Sequence, residues 1–77
     1  MSLGYSLKIV QENQRADKKR IGVLLGSRCI KLGIPVSDIA ATLGVSRQTV
    51  YNWFVGLHEP HESHIKKIQK LISTFKK

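Results

Sequence analysis

The stretch Ile34–Val55, IPVSDIAATLGVSRQTVYNWFV, decides how this chain folds. Ser37 stands where an N-cap hydroxyl would, Asp38 adds charge favourable to a helix start, and Ile39, Ala40 and Leu43 give a two-turn helix one apolar face. Gly44 breaks that pattern. Ser46 can cap a second helix, from about Arg47 to Val55, in which Val50, Trp53 and Phe54 share one face and the other face is polar. Two short helices separated by Gly44, Val45 and Ser46 have the spacing of a helix-turn-helix, because the glycine permits the chain reversal that presents the second helix outward. Ile39, Leu43, Val45, Val50 and Trp53 would form the shared apolar seam, with Ala40 small where the second helix passes over the first.

Upstream, Ile21, Leu24, Leu25, Cys29 and Leu32 recur at three- and four-residue spacing, and Gly33 supplies a C-terminal cap. The pattern predicts a helix from about Arg15 to Leu32. Asp17 is its candidate start, although Lys18, Lys19 and Arg20 oppose the helix dipole there, which favours a start a turn or more earlier. Val23 and Ile30, with Gly22 and Gly26 beside them, form a second apolar strip on that helix. Interior glycines cost about 1 kcal/mol each relative to alanine, so another backbone is expected to approach closely. The visitor is either the leader, through Leu7, Ile9 and Val10, or a second copy of the chain. Downstream of Pro60, Ile65, Ile68, Leu71, Ile72 and Phe75 span an arc of roughly 120° on a helix of about 61–75, with Lys66, Lys67 and Lys70 opposite.

These segments predict an all-α fold, a compact bundle of four to five helices around a central helix-turn-helix at 36–55. One domain takes the whole of 1–77, with the leader 1–14 an arm or an extra element. A chain this short buries only roughly 60% of its unfolded surface, which leaves little room for a deep catalytic cavity beside a core. An enzyme is not expected. The single Cys29 permits no intramolecular disulfide and no zinc framework, which fits a reducing cytoplasm. No apolar run approaches the roughly 20 residues of a membrane helix, and Met1–Gln11 lacks the layout of a signal peptide.

Thirteen Lys and Arg against five Asp and Glu give a formal charge of +8, which suggests a polyanion partner. The charge is unevenly placed: seven basic and two acidic groups fall in residues 1–35, one of each in 36–56, and five and two in 57–77. A neutral helix-turn-helix thus lies between basic flanks.

The stretch Ile34–Val55 resembles the DNA-binding helix-turn-helix of phage Cro and repressor proteins. Trp53, Gly56 and Pro60, followed by Ile65, Ile68 and Ile72, resemble the W-x-x-G-x-x-x-P-then-helix continuation of that family, so the likeness covers roughly residues 20–75. It implies a lambda-repressor-like bundle in which Arg47–Val55 is the recognition helix and enters the DNA major groove. The sequence departs from the family's pattern at Pro35 and Val36, where polar residues often touch phosphate, and at Cys29 and Phe54, where many members place a buried Arg and Glu pair.

A helical wheel agrees with that implication: with Val50 inward, Gln48 and Asn52 point nearly opposite, flanked by Tyr51 and Thr49, while Arg47 projects from the first turn. Gln and Asn pair bidentately with adenine, Arg pairs with guanine, and the Thr methyl packs on thymine, each good bidentate contact being worth about 1–3 kcal/mol of discrimination. Arg47, Gln48, Thr49, Tyr51 and Asn52 are therefore the candidate base readers. Groups bordering the helix, Ser37, Ser46, Gly56 and His58, are the candidate phosphate contacts. The weaker alternative for each is a solvated polar residue on an exposed face.

Three further features invite a functional reading and do not hold it. His58, His61 and His64 lie at three-residue intervals, but no cysteine or second cluster completes a tetrahedral metal set. Trp53 and Phe54 lie on the apolar face, which makes them core residues and not base-stacking platforms. Cys29 lies on a buried face without a catalytic partner. No metal, cofactor, membrane or small-molecule effector is expected. The expected partner is double-stranded DNA, bound sequence-specifically by a small Cro-like or repressor-like transcription regulator of phage or bacterial origin. It would act by operator occupancy, as a homodimer joined through Val23 and Ile30 or through the last helix. LGVSRQTVYNWF also resembles the helix-turn-helix of transposases and site-specific recombinases, a reading that the absence of a catalytic domain disfavours. The remaining rival is a protein-binding adaptor or anti-repressor on the same scaffold.

Overall fold

In the computed structural model, residues 5–75 are described; the first four residues of the leader and the last two lysines lie outside them. The described residues form five α-helices and no strand: α1 Leu7–Arg15, α2 Ile21–Leu32, α3 Val36–Leu43, α4 Arg47–Phe54 and α5 Glu62–Phe75. They pack into a body of 30 × 25 × 22 Å. The all-α bundle with a central helix-turn-helix is therefore the observed fold.

The leader is a helix, capped by the Ser6 hydroxyl, which accepts from the Ile9 N–H at 3.2 Å. The single helix expected from Arg15 onward is instead divided. Ala16 turns to extended backbone, and the Asp17 carboxylate accepts from the Lys19 N–H at 2.9 Å, closing a tight turn over two residues. Short acidic side chains offer the backbone this alternative to a helix, and three cations at a helix start oppose its dipole. α2 accordingly begins at Ile21, later than expected, with Asp17 outside it.

α2 is the hub, packing against α1, α4 and α5. Its apolar strips are largely covered within one chain: Leu25 and Cys29 join the main core, Val23 is fully buried and Ile30 nearly so, while Leu32, expected on the first strip, is exposed at the helix end. A dimer seam through Val23 and Ile30 is thereby excluded. The leader supplies part of the cover, with Ile9 and Val10 half-buried and Leu7 facing outward. The close approach implied by the glycines comes chiefly from α4. A Cβ on Gly22 would lie 2.7 Å from the Trp53 Cβ, and one on Gly26 would lie 2.7 Å from the Phe54 ring and 2.8 Å from the Asn13 side-chain nitrogen.

α3 starts one residue before the expected cap. Val36 is drawn into the core, Pro35 takes the N-cap position without a side-chain bond, and Ser37 becomes an exposed residue of the first turn. Gly44 ends the helix at φ 71°, a left-handed conformation that other residues adopt at a cost of about 1–2 kcal/mol, and the Val45 N–H returns to the Ala40 carbonyl at 3.0 Å. Val50, Trp53 and Phe54 then pack on Ile39, Ala40 and Leu43. α5 buries Ile68 completely, leaves Ile65, Leu71, Ile72 and Phe75 half-covered, and keeps Lys66, Lys67 and Lys70 exposed.

Candidate nucleic-acid interface

The outer face of α4 is assembled from its cap inward. The Ser46 hydroxyl accepts from the Thr49 N–H at 3.2 Å and lies 2.9 Å from the Thr49 hydroxyl, so these two side chains fix the first turn. Arg47 and Gln48 are exposed beside that cap. One turn on, the Gln48 side-chain amide donates to the Asn52 side-chain carbonyl at 3.1 Å. That bond holds the exposed Gln48 amide and the half-buried Asn52 amide together along one ridge, with the Gln48 oxygen as an acceptor and the Asn52 nitrogen as a donor outside it. Adenine presents the complementary donor and acceptor in the major groove.

Tyr51 differs from its neighbours because it is half-buried against the core. It sits near Tyr5, whose ring lies 6.2 Å from that of Phe54 and whose hydroxyl donates to the Ile34 carbonyl. Burial, then the proximity of Cys29, Tyr51 and Asp38, raises the Tyr5 phenol well above its ordinary titration range and keeps it neutral.

Beyond α4 the chain folds back on Asn52, whose backbone carbonyl accepts from the Leu57 N–H at 2.9 Å and the His58 N–H at 3.3 Å. This places His58 on a groove of about 300 Å³ that also includes Thr49 and Asn52. Gly56 is not on that groove. Its N–H is bonded to the Trp53 carbonyl, its own carbonyl is held by the Arg20 guanidinium, and it packs toward Ala16 and Val23. The structure thus brings Ser46, Arg47, Gln48, Thr49, Asn52 and His58 to one edge of the molecule. It leaves Ser37 on the first turn of α3, and at Gly56 both backbone polar groups are engaged, by Trp53 and Arg20.

Two positioning residues carried no signal in the sequence reading. Asn13, nearly fully buried, donates to the Val23 carbonyl at 3.1 Å and to the Phe54 carbonyl at 2.7 Å, tying α1 to α2 and to the last residue of α4. Arg20 holds the Gly56 carbonyl and lies 3.7 Å from the Glu59 carboxylate, which fixes the loop carrying His58. Cys29 is free and buried, and burial pushes its thiol up to about 12. Among the described residues no group of His, Cys, Asp and Glu is arranged to hold a metal ion, and no helix is long and apolar enough to cross a membrane.

A family model described as Homeodomain-like domain matches residues 14–55, more than half of the chain. The chain belongs to the Homeodomain-like domain family. Its matched segment runs from the end of α1 through α4 and contains the whole helix-turn-helix. What the match supports is a DNA-binding helix-turn-helix in general; the Cro and repressor type is finer than it resolves. The homeodomain-like segment stops at Val55, so the Gly56–Pro60 loop and α5 lie outside it. No curated protein and no solved structure matches the chain.

Proposed function

We propose that the protein binds double-stranded DNA sequence-specifically through α4 and acts as a small Cro-like or repressor-like transcription regulator, by occupying its operator. The observation that carries this reading is the ridge of α4, where the Gln48 and Asn52 side chains are bonded to each other and the Gln48 oxygen and Asn52 nitrogen lie outside that bond. In homeodomain-like units the last of three helices reads the major groove, and α4 is the last of the three helices wholly inside the matched segment. Arg47 projects beside that ridge, while Ser46 and His58 border it as phosphate contacts. The role in this reading is binding, not catalysis.

Regulation by occupancy calls for more base pairs than one helix reads, so a homodimer on two half-sites about one helical turn apart belongs to the proposal. With Val23 and Ile30 covered, its seam falls to the half-exposed apolar residues of α5, Ile72 and Phe75 among them.

A second reading, a DNA-targeting module of the transposase or recombinase type, is favoured by the extent of the family match, which spans the helix-turn-helix and omits α5. Footprinting on the sequence enriched from a random duplex pool separates the two. A symmetric two-half-site footprint, together with blocked transcription from a promoter that contains it, is the result expected of a regulator. A single short half-site that leaves transcription untouched would favour the targeting module.

A further inference from the structure

The groove beside the reading ridge contains three imidazoles, of which only His58 has a part in the DNA-binding reading. It is bounded by Thr49 and Asn52 of α4, by His58, Glu59 and His61 of the following loop, and by His64 of α5, over a floor that includes Trp53. His58 and His61 are exposed, and the His61 Nδ1 lies 2.9 Å from the Ser63 hydroxyl. The His64 ring lies 5.8 Å from that of Trp53, and its Nδ1 is buried with no hydrogen-bond partner. A buried imidazole nitrogen without a partner is an uncommon arrangement in a folded protein and marks a site where a proton or ligand can be gained.

Charge makes the groove distinctive. Of the side chains that bound it, Glu59 alone is charged when the imidazoles are neutral, and Glu59 is engaged by Arg20 at the start of α2. The faces contributed by α4 and by Val45 of the turn carry no charge, while α5 brings Glu62 in its first turn and the exposed Lys66 and Lys67 beyond. When the three imidazoles take up protons the sign of the lining reverses from negative to positive. Histidine is the side chain whose charge most readily follows pH in the range a cell can reach.

We propose that this groove is a seat for a DNA backbone phosphate, held by His58 and His61 with the Thr49 hydroxyl and closed by His64, and that it grips only when the imidazoles are protonated. The seat rests on the DNA-binding reading and adds to it a specific consequence: affinity for DNA rises as pH falls, while base preference, set by the uncharged ridge of Gln48 and Asn52, stays the same. Phosphate negative charge raises the proton affinity of each imidazole on binding. By linkage, each proton taken up on binding makes affinity rise as pH falls, by at most about tenfold per pH unit.

The test uses the full chain and a mixed-sequence DNA duplex of fixed length, with affinity measured over a range of salt at pH 6 and at pH 8. For the unaltered protein the expected result is binding tighter by about five- to thirtyfold at pH 6, with a log affinity against log salt slope steeper by about 1 per phosphate newly neutralised. In the double variant His58→Gln, His61→Gln both differences should shrink toward zero, with Trp53 fluorescence and circular dichroism reporting an intact fold. His64→Gln provides a second, independent variant and should reduce the pH response in part. Equal affinities at the two pH values, or an undiminished response in the double variant, would overturn the phosphate seat and leave DNA binding standing. Failure to bind the duplex at either pH would overturn both.

Discussion

The two ends of α4 are built to opposite rules. At its N-terminal end, Ser46, Arg47 and Gln48 are exposed, and the side-chain bonds of Ser46 and Gln48 are local ones, to Thr49 and Asn52. At its C-terminal end, Trp53 and Phe54 are buried against the glycines of α2, and the Phe54 carbonyl is held by Asn13 from a helix 41 residues earlier in the chain. The helix is therefore clamped at one end and offered to solvent at the other. Changes at the clamp should act on the stability and pitch of the whole helix, whereas changes at the free end should act on what it reads.

The largest expected effect is at the clamp. Gly26→Ala should destabilise the protein by about 2–3 kcal/mol in urea or thermal melts, because the steric cost exceeds the roughly 1 kcal/mol gained in helix propensity. A Cβ there would meet the Phe54 ring and the Asn13 amide together. A neutral or stabilising outcome would break the contrast between the two ends. Asn13→Ala comes next, at about 2 kcal/mol, since it leaves the buried carbonyls of Val23 and Phe54 without donors. Gln14→Ala, one position along and exposed, should change stability by less than about 0.5 kcal/mol in the same assay.

At the free end the signs separate. Gln48→Ala and Asn52→Ala should leave the melting curve within about 0.5 kcal/mol of the original while each removes about 1–3 kcal/mol of discrimination between preferred and altered sites. Binding competition between the two duplexes reads that difference directly. Lys70→Ala, on the outer face of α5, should have a smaller and uniform effect, lowering affinity for all sequences together and flattening the salt dependence.

Cys29 supplies the weakest effect near neutrality, and it sharpens the same contrast from the core side. Its thiol ionises near 9 when free and is pushed up to about 12 by burial, so the unfolded chain releases this proton first. Its contribution to stability is complete below pH 9 and is lost as pH rises from there toward 12. Relative to Cys29→Ala, urea midpoints should fall more steeply above pH 9 and should run parallel between pH 6 and pH 8. An alkylating reagent at pH 8 should label the unfolded chain and spare the folded one.

These contrasts also explain what was legible in the sequence. The turn at Gly44, the Ser46 cap, the seam of α3 and α4 and the arc of α5 each follow from neighbours within one or two helical turns, and each stands where the spacing put it. The break between α1 and α2 was not legible, because Asp17 offers the same signal whether it caps a helix or closes a turn. The N-cap expected at Ser37 falls two residues earlier, at Pro35, as the core claimed Val36. Asn13 gave no signal at all: in the run Gln11–Gln14 it looks like its solvated neighbours, and its partners lie 10 and 41 residues away. Gly56 was placed at the right turn, but its carbonyl is engaged by Arg20, 36 residues distant.

The most direct test of the reading ridge is selection from a random duplex pool at physiological salt, run in parallel on the unaltered protein and on the double variant Gln48→Ala, Asn52→Ala. The expected result is an enriched site for the unaltered protein whose preference is lost or rewritten in the variant, with both proteins folded alike. An identical enriched site from both, or weak salt-sensitive binding with no enrichment by the unaltered protein, would contradict the assignment of α4 as the element that reads DNA.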